Sequence, residues 1–213
     1  MKIELIVFIV INVLSNDASS STEMANIKET FRQFISKTRV QVSESVSQIN
    51  EVLHNHNNEA AKYLIHARDS ANGIKMNVVS ELNEEIDSTI STENNDDEEI
   101  QEMAEQPFIS LEQLASVATK ECVIKHWNDY IQDVIKAFKD AIIYVPRCYE
   151  KHNVLENAIA IHKKIEDGIP ISDELLLFKL SIISAQSEIK DQLRRALESA
   201  EIEHLFTVQV EDC

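Results

Sequence analysis

Between Glu121 and Lys151 the apolar side chains recur every third or fourth position, and this repeat constrains the fold more than any other feature. Ile131, Val134, Ile135, Phe138, Ile142 and Val145 fall on one side of a helix with 3.6 residues per turn. Upstream, Leu111, Ala115, Ala118 and Cys122 continue the same stripe, and Ser110 with Gln113 has the form of a capping box. Pro146 lacks a backbone donor and disfavours helical geometry at Val145, so the helix is expected to end or kink there. Only 2 glycines and 3 prolines occur in 213 residues, too few for a turn-rich β fold. The expected class is all-α, an elongated helical hairpin followed by a C-terminal helical bundle.

The remaining chain divides on the same logic. Residues 1–15 read as a signal peptide, with Lys2 ahead of an apolar run from Leu5 to Leu14 that is too short to span a bilayer. The mature protein is therefore expected to be secreted, extracellular and without stable membrane insertion. Residues 16–91 carry a long amphipathic stripe, including Phe31, Val42, Ile49, Leu64, Leu82 and Ile86. It has two weak points, at Asn55–Asn58 and at Asn72-Gly73. A hairpin turning at Asn55–Asn58 is preferred to one unbroken helix, because two antiparallel helices bury their stripes on each other. Residues 92–107 are acidic and poor in core material, and read as a linker closed by Pro107. Residues 108–213 form the cysteine-containing helical domain. Within it, Lys163-Lys164, Gly168 and Pro170 mark a helix end, and Ser172 with Asp173 and Glu174 marks the start of the last helix.

Charge narrows the partners. Against 20 Lys and Arg stand 37 Asp and Glu, a net charge of −17 that argues against nucleic acid and anionic membrane surfaces. Removing residues 1–15 takes away Lys2 and Glu4 together and leaves that charge unchanged. No glycine-rich phosphate loop, nucleophile elbow or H-E-x-x-H is present, so no catalytic residue, cofactor or metal is assigned. Asp96 to Glu99 lack the alternating ligand pattern of an EF-hand. A zinc set built from Cys122, His126, Cys148 and His152 has the spacing of no compact zinc module.

Three cysteines in an oxidising compartment leave one over. Cys148 with Cys213 is preferred to Cys122 with Cys148 because both ends of the former are expected outside regular helix; on one unbroken helix Cys122 and Cys148 would stand about 39 Å apart and pair only if the chain folds back between them. Cys122 is then a buried thiol.

The portion from Leu111 to Cys213, through Cys122, Tyr130, Cys148 and Tyr149, resembles the insect secreted helical family named after the tsetse EP protein. The Glu-Pro repeats of that name are absent. The resemblance implies a secreted insect product of gut or immune settings and supplies no catalytic residue.

Two functions follow as expectations. The first is a secreted, non-enzymatic interaction protein, with an unknown protein or surface partner and a homodimer through coiled-coil-like stripes as one option. The alternative is an extracellular carrier of a small apolar ligand or lipid, its cavity lined by Ile131, Ile135, Phe138, Ile142, Leu176, Phe178 and Leu180. Ordinary bundle core accounts for the same residues.

Overall fold

The structure is a computed structural model that describes residues 18–71, 76–91, 93–115 and 121–210. All regular structure among them is helical: α1 (Ala18–Ala71), α2 (Met76–Ser91), α3 (Glu93–Ala115), α4 (Glu121–Lys151), α5 (Val154–Glu166) and α6 (Ser172–Val210).

Side-chain pairs fix how these helices lie. Arg68 of α1 reaches Asn83 of α2 at 3.4 Å, and Arg39 pairs with Glu105 of α3 at 3.4 Å. The later partner thus meets the earlier part of α1, so α2 and α3 run back antiparallel along it. Phe31 meets Trp127, and Ser70 meets His162, so α4 and α5 run parallel to α1. Tyr144 meets Glu188, and Asp133 meets His204, so α6 returns antiparallel to α4. The fold is two antiparallel hairpins laid together, α1 against α2–α3 and α4–α5 against α6. They join chiefly where α1 packs on α4 and α5. One continuous core fills the seam, with Phe31, Phe108, Trp127, Tyr130, Phe138 and Phe178 as its bulkiest members. Each such side chain contributes about 1.5–3 kcal/mol by leaving water.

Several boundaries differ from the sequence reading. Asn55–Asn58 make no turn; they lie inside α1, which at 54 residues is about 80 Å long. Asn57 is buried and accepts a hydrogen bond from Tyr149, while Asn58 meets His54 one helical turn back at 2.6 Å. Partners at helical spacing and across the seam thus absorb the polar groups that asparagine otherwise offers to a turn. The antiparallel partner of α1 is instead α2, which begins at Met76; the second weak point, Asn72-Gly73, lies outside the described residues. The acidic stretch expected as a linker is helical from Glu93, and α3 passes through Pro107 to Ala115. Ser110 is therefore internal to a helix and not a cap. Ile100, Ala104 and Phe108 are buried along α3, and that burial holds the acidic segment in register.

Pro146 does not stop α4. Val145, Cys148 and Tyr149 are buried around it while Pro146 itself is exposed, so core packing offsets its missing hydrogen bond. The helix ends at Lys151 because Asn153 takes a left-handed conformation, φ 56°, which asparagine tolerates better than most residues. The next stop falls where the sequence places it. Gly168 sits at φ 70°, its N–H bonded to the Ile165 carbonyl and the Ile169 N–H to that of Lys164. Asp173 and Glu174 occupy the first turn of α6, and Glu174 pairs with Lys164 across the bend.

Candidate functional site

The residues expected to line one cavity are not brought together. Ile131, Ile135, Phe138 and Phe178 are core residues packed into the seam, and Ile142 is half-buried against them. Leu176 and Leu180 face outward. With Leu177 and Ile183 they form a row on α6, exposed at 57, 50, 55 and 50 % respectively. Positions 176, 180 and 183 fall on one helical face, and Phe178 falls on the opposite, inner one. The run Leu175–Phe178 looks apolar all round in sequence, yet its helix has neighbours on only one side.

The cysteines are also separated. Cys148 is fully buried with a free thiol. Its neighbour Tyr149 stands level with Gln186, and α6 continues unbroken from there to Val210, about 36 Å further along the axis. The end of α6 is thus far from Cys148, and Cys213 itself lies outside the described residues. Cys122 lies on the same continuous helix as Cys148, about 39 Å away, which removes that pairing and the four-residue zinc set together. The side chains of Cys122, His126 and Cys213 lie outside the described residues.

Around Cys148 the structure assembles a polar cluster that no sequence motif announces. The Glu188 carboxylate accepts from Tyr144 at 2.5 Å and from Lys151 at 2.7 and 2.8 Å, and bonds His152 Nε2 at 2.7 Å. Lys151 first, then Tyr144 and His152, hold its pKa down at about 2. The same contact pushes the Tyr144 hydroxyl up. Burial pushes the Cys148 thiol up against the lowering effect of its hydrogen bond with Tyr144. A buried, protonated thiol is a poor nucleophile, and a phenol held above its ordinary value is a poor proton donor at neutral pH. This cluster fastens α4 to α6 and does not assemble an activated nucleophile. Beside it, Tyr149 donates to Asn57 Oδ1 at 2.7 Å and accepts from Gln186 at 3.5 Å, tying α1, α4 and α6.

Nearer the end where α4 begins, a cleft of about 390 Å³ opens between α3, α4 and α6. Tyr130 of α4 lines it, with Met103 and Pro107 of α3 and Leu197 of α6 as apolar neighbours. Glu99, Glu102, Glu198 and Glu201 supply carboxylates. Glu99 is already paired, to Lys190 at 2.7 Å and Arg194 at 2.8 Å. Behind Tyr130 the ring of His204 stands 6.4 Å away, and His204 Nε2 lies 2.6 Å from Asp133 Oδ2. Glu203 completes a trio whose ligand atoms all lie within 4.8 Å of one another, able in kind to hold a cation. Of its lining, the sequence singles out Glu99, Pro107 and Tyr130, each for a separate reason and none as part of a common site. Its other walls come from helices far away in the chain.

No helix among the described residues is long and apolar enough to cross a membrane. Comparison of the chain with protein families, with characterised proteins and with solved structures gives no match.

Proposed function

We propose that this protein works outside the cell as a non-enzymatic helical binding protein that takes a protein partner on the outer face of α6. One observation carries the reading. Leu176, Leu177, Leu180 and Ile183 hold large apolar side chains half exposed in one contiguous row, on a chain that is otherwise strongly acidic. Scattered exposed leucines are ordinary, but a contiguous row is characteristic of surfaces that meet a partner. The partner it fits is a helix with a complementary apolar face, packed ridges into grooves. The resemblance to the tsetse EP type favours an insect gut or immune setting. The carrier alternative has less support, since Ile131, Ile135, Phe138 and Phe178 are committed to the core.

The test is photo-crosslinking from a benzophenone side chain at position 180, with position 62 as the exposed control on α1, in the extracellular fluid from which the protein is purified. Discrete adducts from 180 and none from 62 support the reading. Identical adduct patterns from both positions reject it, and an adduct of twice the chain mass identifies the partner as a second copy.

A further inference from the structure

We propose that the cleft between α3, α4 and α6 is a binding site for a small organic cation, a primary ammonium group carried on a flat apolar body. This site is separate from the apolar row on α6, and neither reading depends on the other.

The argument starts with Tyr130. It is only 2 % exposed, yet it lines the cleft, and its hydroxyl has no hydrogen-bond partner among the described residues. The hydroxyl is not sealed from solvent, so it stands as a donor and acceptor open to the cleft. The second observation is how charge is distributed around it. At one end of the cleft Glu99 is neutralised by Lys190 and Arg194. At the other, Glu102, Glu198 and Glu201 are exposed and form no ion pair among the described residues. Glu201 is close enough to Tyr130 to add to the upward push that burial gives its hydroxyl. A cation here meets carboxylates on the rim and the tyrosine oxygen below them.

The walls decide what kind of cation. Met103, Pro107 and Leu197 offer apolar surface to the ligand body, which a hydrated metal ion cannot use. An ammonium group supplies three N–H donors to acceptors that have none, and a nearby aromatic ring adds attraction to it. Anions are repelled by the rim and by the −17 charge of the whole chain. At about 390 Å³ the cleft lies at the small end of the range for ligand sites, and suits a single fused ring system with a short aminoalkyl arm.

Isothermal titration of the full chain with three compounds tests this. They are tryptamine, its neutral analogue tryptophol, and the anionic analogue indole-3-propionate. Saturable one-to-one binding of tryptamine is expected, with tryptophol about tenfold weaker and indole-3-propionate silent, the loss corresponding to one charge-assisted hydrogen bond. E198Q/E201Q alters only exposed side chains, and Tyr130→Phe removes only the hydroxyl. Each is expected to weaken tryptamine about tenfold while leaving the helical circular dichroism unchanged. Equal binding of tryptamine and tryptophol overturns the proposal. So does tryptamine binding that is absent, unsaturable or unaffected by E198Q/E201Q, the last two marking diffuse counterion association with an acidic chain.

Discussion

Tyr149 of α4 donates its hydroxyl proton to the Oδ1 of Asn57 in α1 across 2.7 Å, with both residues buried. Ninety-two positions apart in the chain, they meet where the two hairpins press together, and the contact explains why an asparagine-rich stretch stays helical. Asn57 is held inside α1 by a partner that the turn geometry would forfeit.

Asn57→Ala should therefore destabilise the fold by about 1–3 kcal/mol in urea denaturation, the cost of taking away the acceptor of the buried Tyr149 hydroxyl. Tyr149→Phe should cost a similar amount by stranding the asparagine. The double variant N57L/Y149F should cost less than the two single changes together, because neither half of the Tyr149–Asn57 bond is left facing an absent partner, while the loss of Gln186's 3.5 Å contact is common to both Tyr149 variants. Strict additivity would show that the two side chains do not interact.

Glu188 should give the protein an acid-labile clamp. Its folded pKa, about 2, lies below its ordinary value of 4.5, so its contribution is fully present above pH 4.5. That contribution fades as pH falls from about 4.5 toward 2, when the carboxylate takes up a proton and loses Lys151. Glu188→Gln should flatten this limb of the stability curve and cost about 1 kcal/mol near neutrality, the modest figure reflecting solvent access to the pair. A variant curve parallel to that of the unaltered protein below pH 4.5 contradicts the assignment.

The thiols should sort by position along the bundle. Cys148 is expected to resist iodoacetamide in the folded protein and to react only on unfolding, because it is fully buried and its thiol is held protonated. Val210 closes α6 at the end of the molecule where α4 begins with Glu121, since His204 stands level with Asp133. Cys148 should accordingly stay out of any disulfide formed on air oxidation. Peptide mapping without reduction decides it, and any disulfide that includes Cys148 refutes the antiparallel register of α4 and α6.

Two neighbours on α6 should behave oppositely. Phe178→Ala empties a fully buried site and should cost about 3–5 kcal/mol. Leu180→Glu changes an exposed position and should shift stability by less than about 0.5 kcal/mol. Thermal unfolding of both variants measures this. A large loss from Leu180→Glu would mean that the leucine is core, and would remove the apolar row.

Local signals carried much of the fold because their energies are local. The three-and-four spacing of Ile131, Val134, Ile135 and Phe138 dictates a helix whichever neighbour it finds, and Gly168 ends α5 because its own φ of 70° needs no Cβ. Signals weaker than burial were overruled. Pro146, Pro107 and the asparagines at 55–58 each prefer to end a helix, but the buried residues flanking them outweigh that preference. Such a contest cannot be judged from one segment, since the opposing term belongs to a partner helix elsewhere in the chain.

The sequence by itself determined that this protein is all-helical, strongly acidic, and stopped cleanly between α5 and α6, because periodicity, charge and a left-handed glycine act within a few residues. Only the tertiary structure decided which leucines face water, which thiol is sealed away, and where Tyr130, Glu188 and Asn57 find or lack their partners. Those outcomes depend on the axial register of helices separated by up to a hundred residues. Register is set by the summed packing of whole seams, which no single stretch of sequence contains.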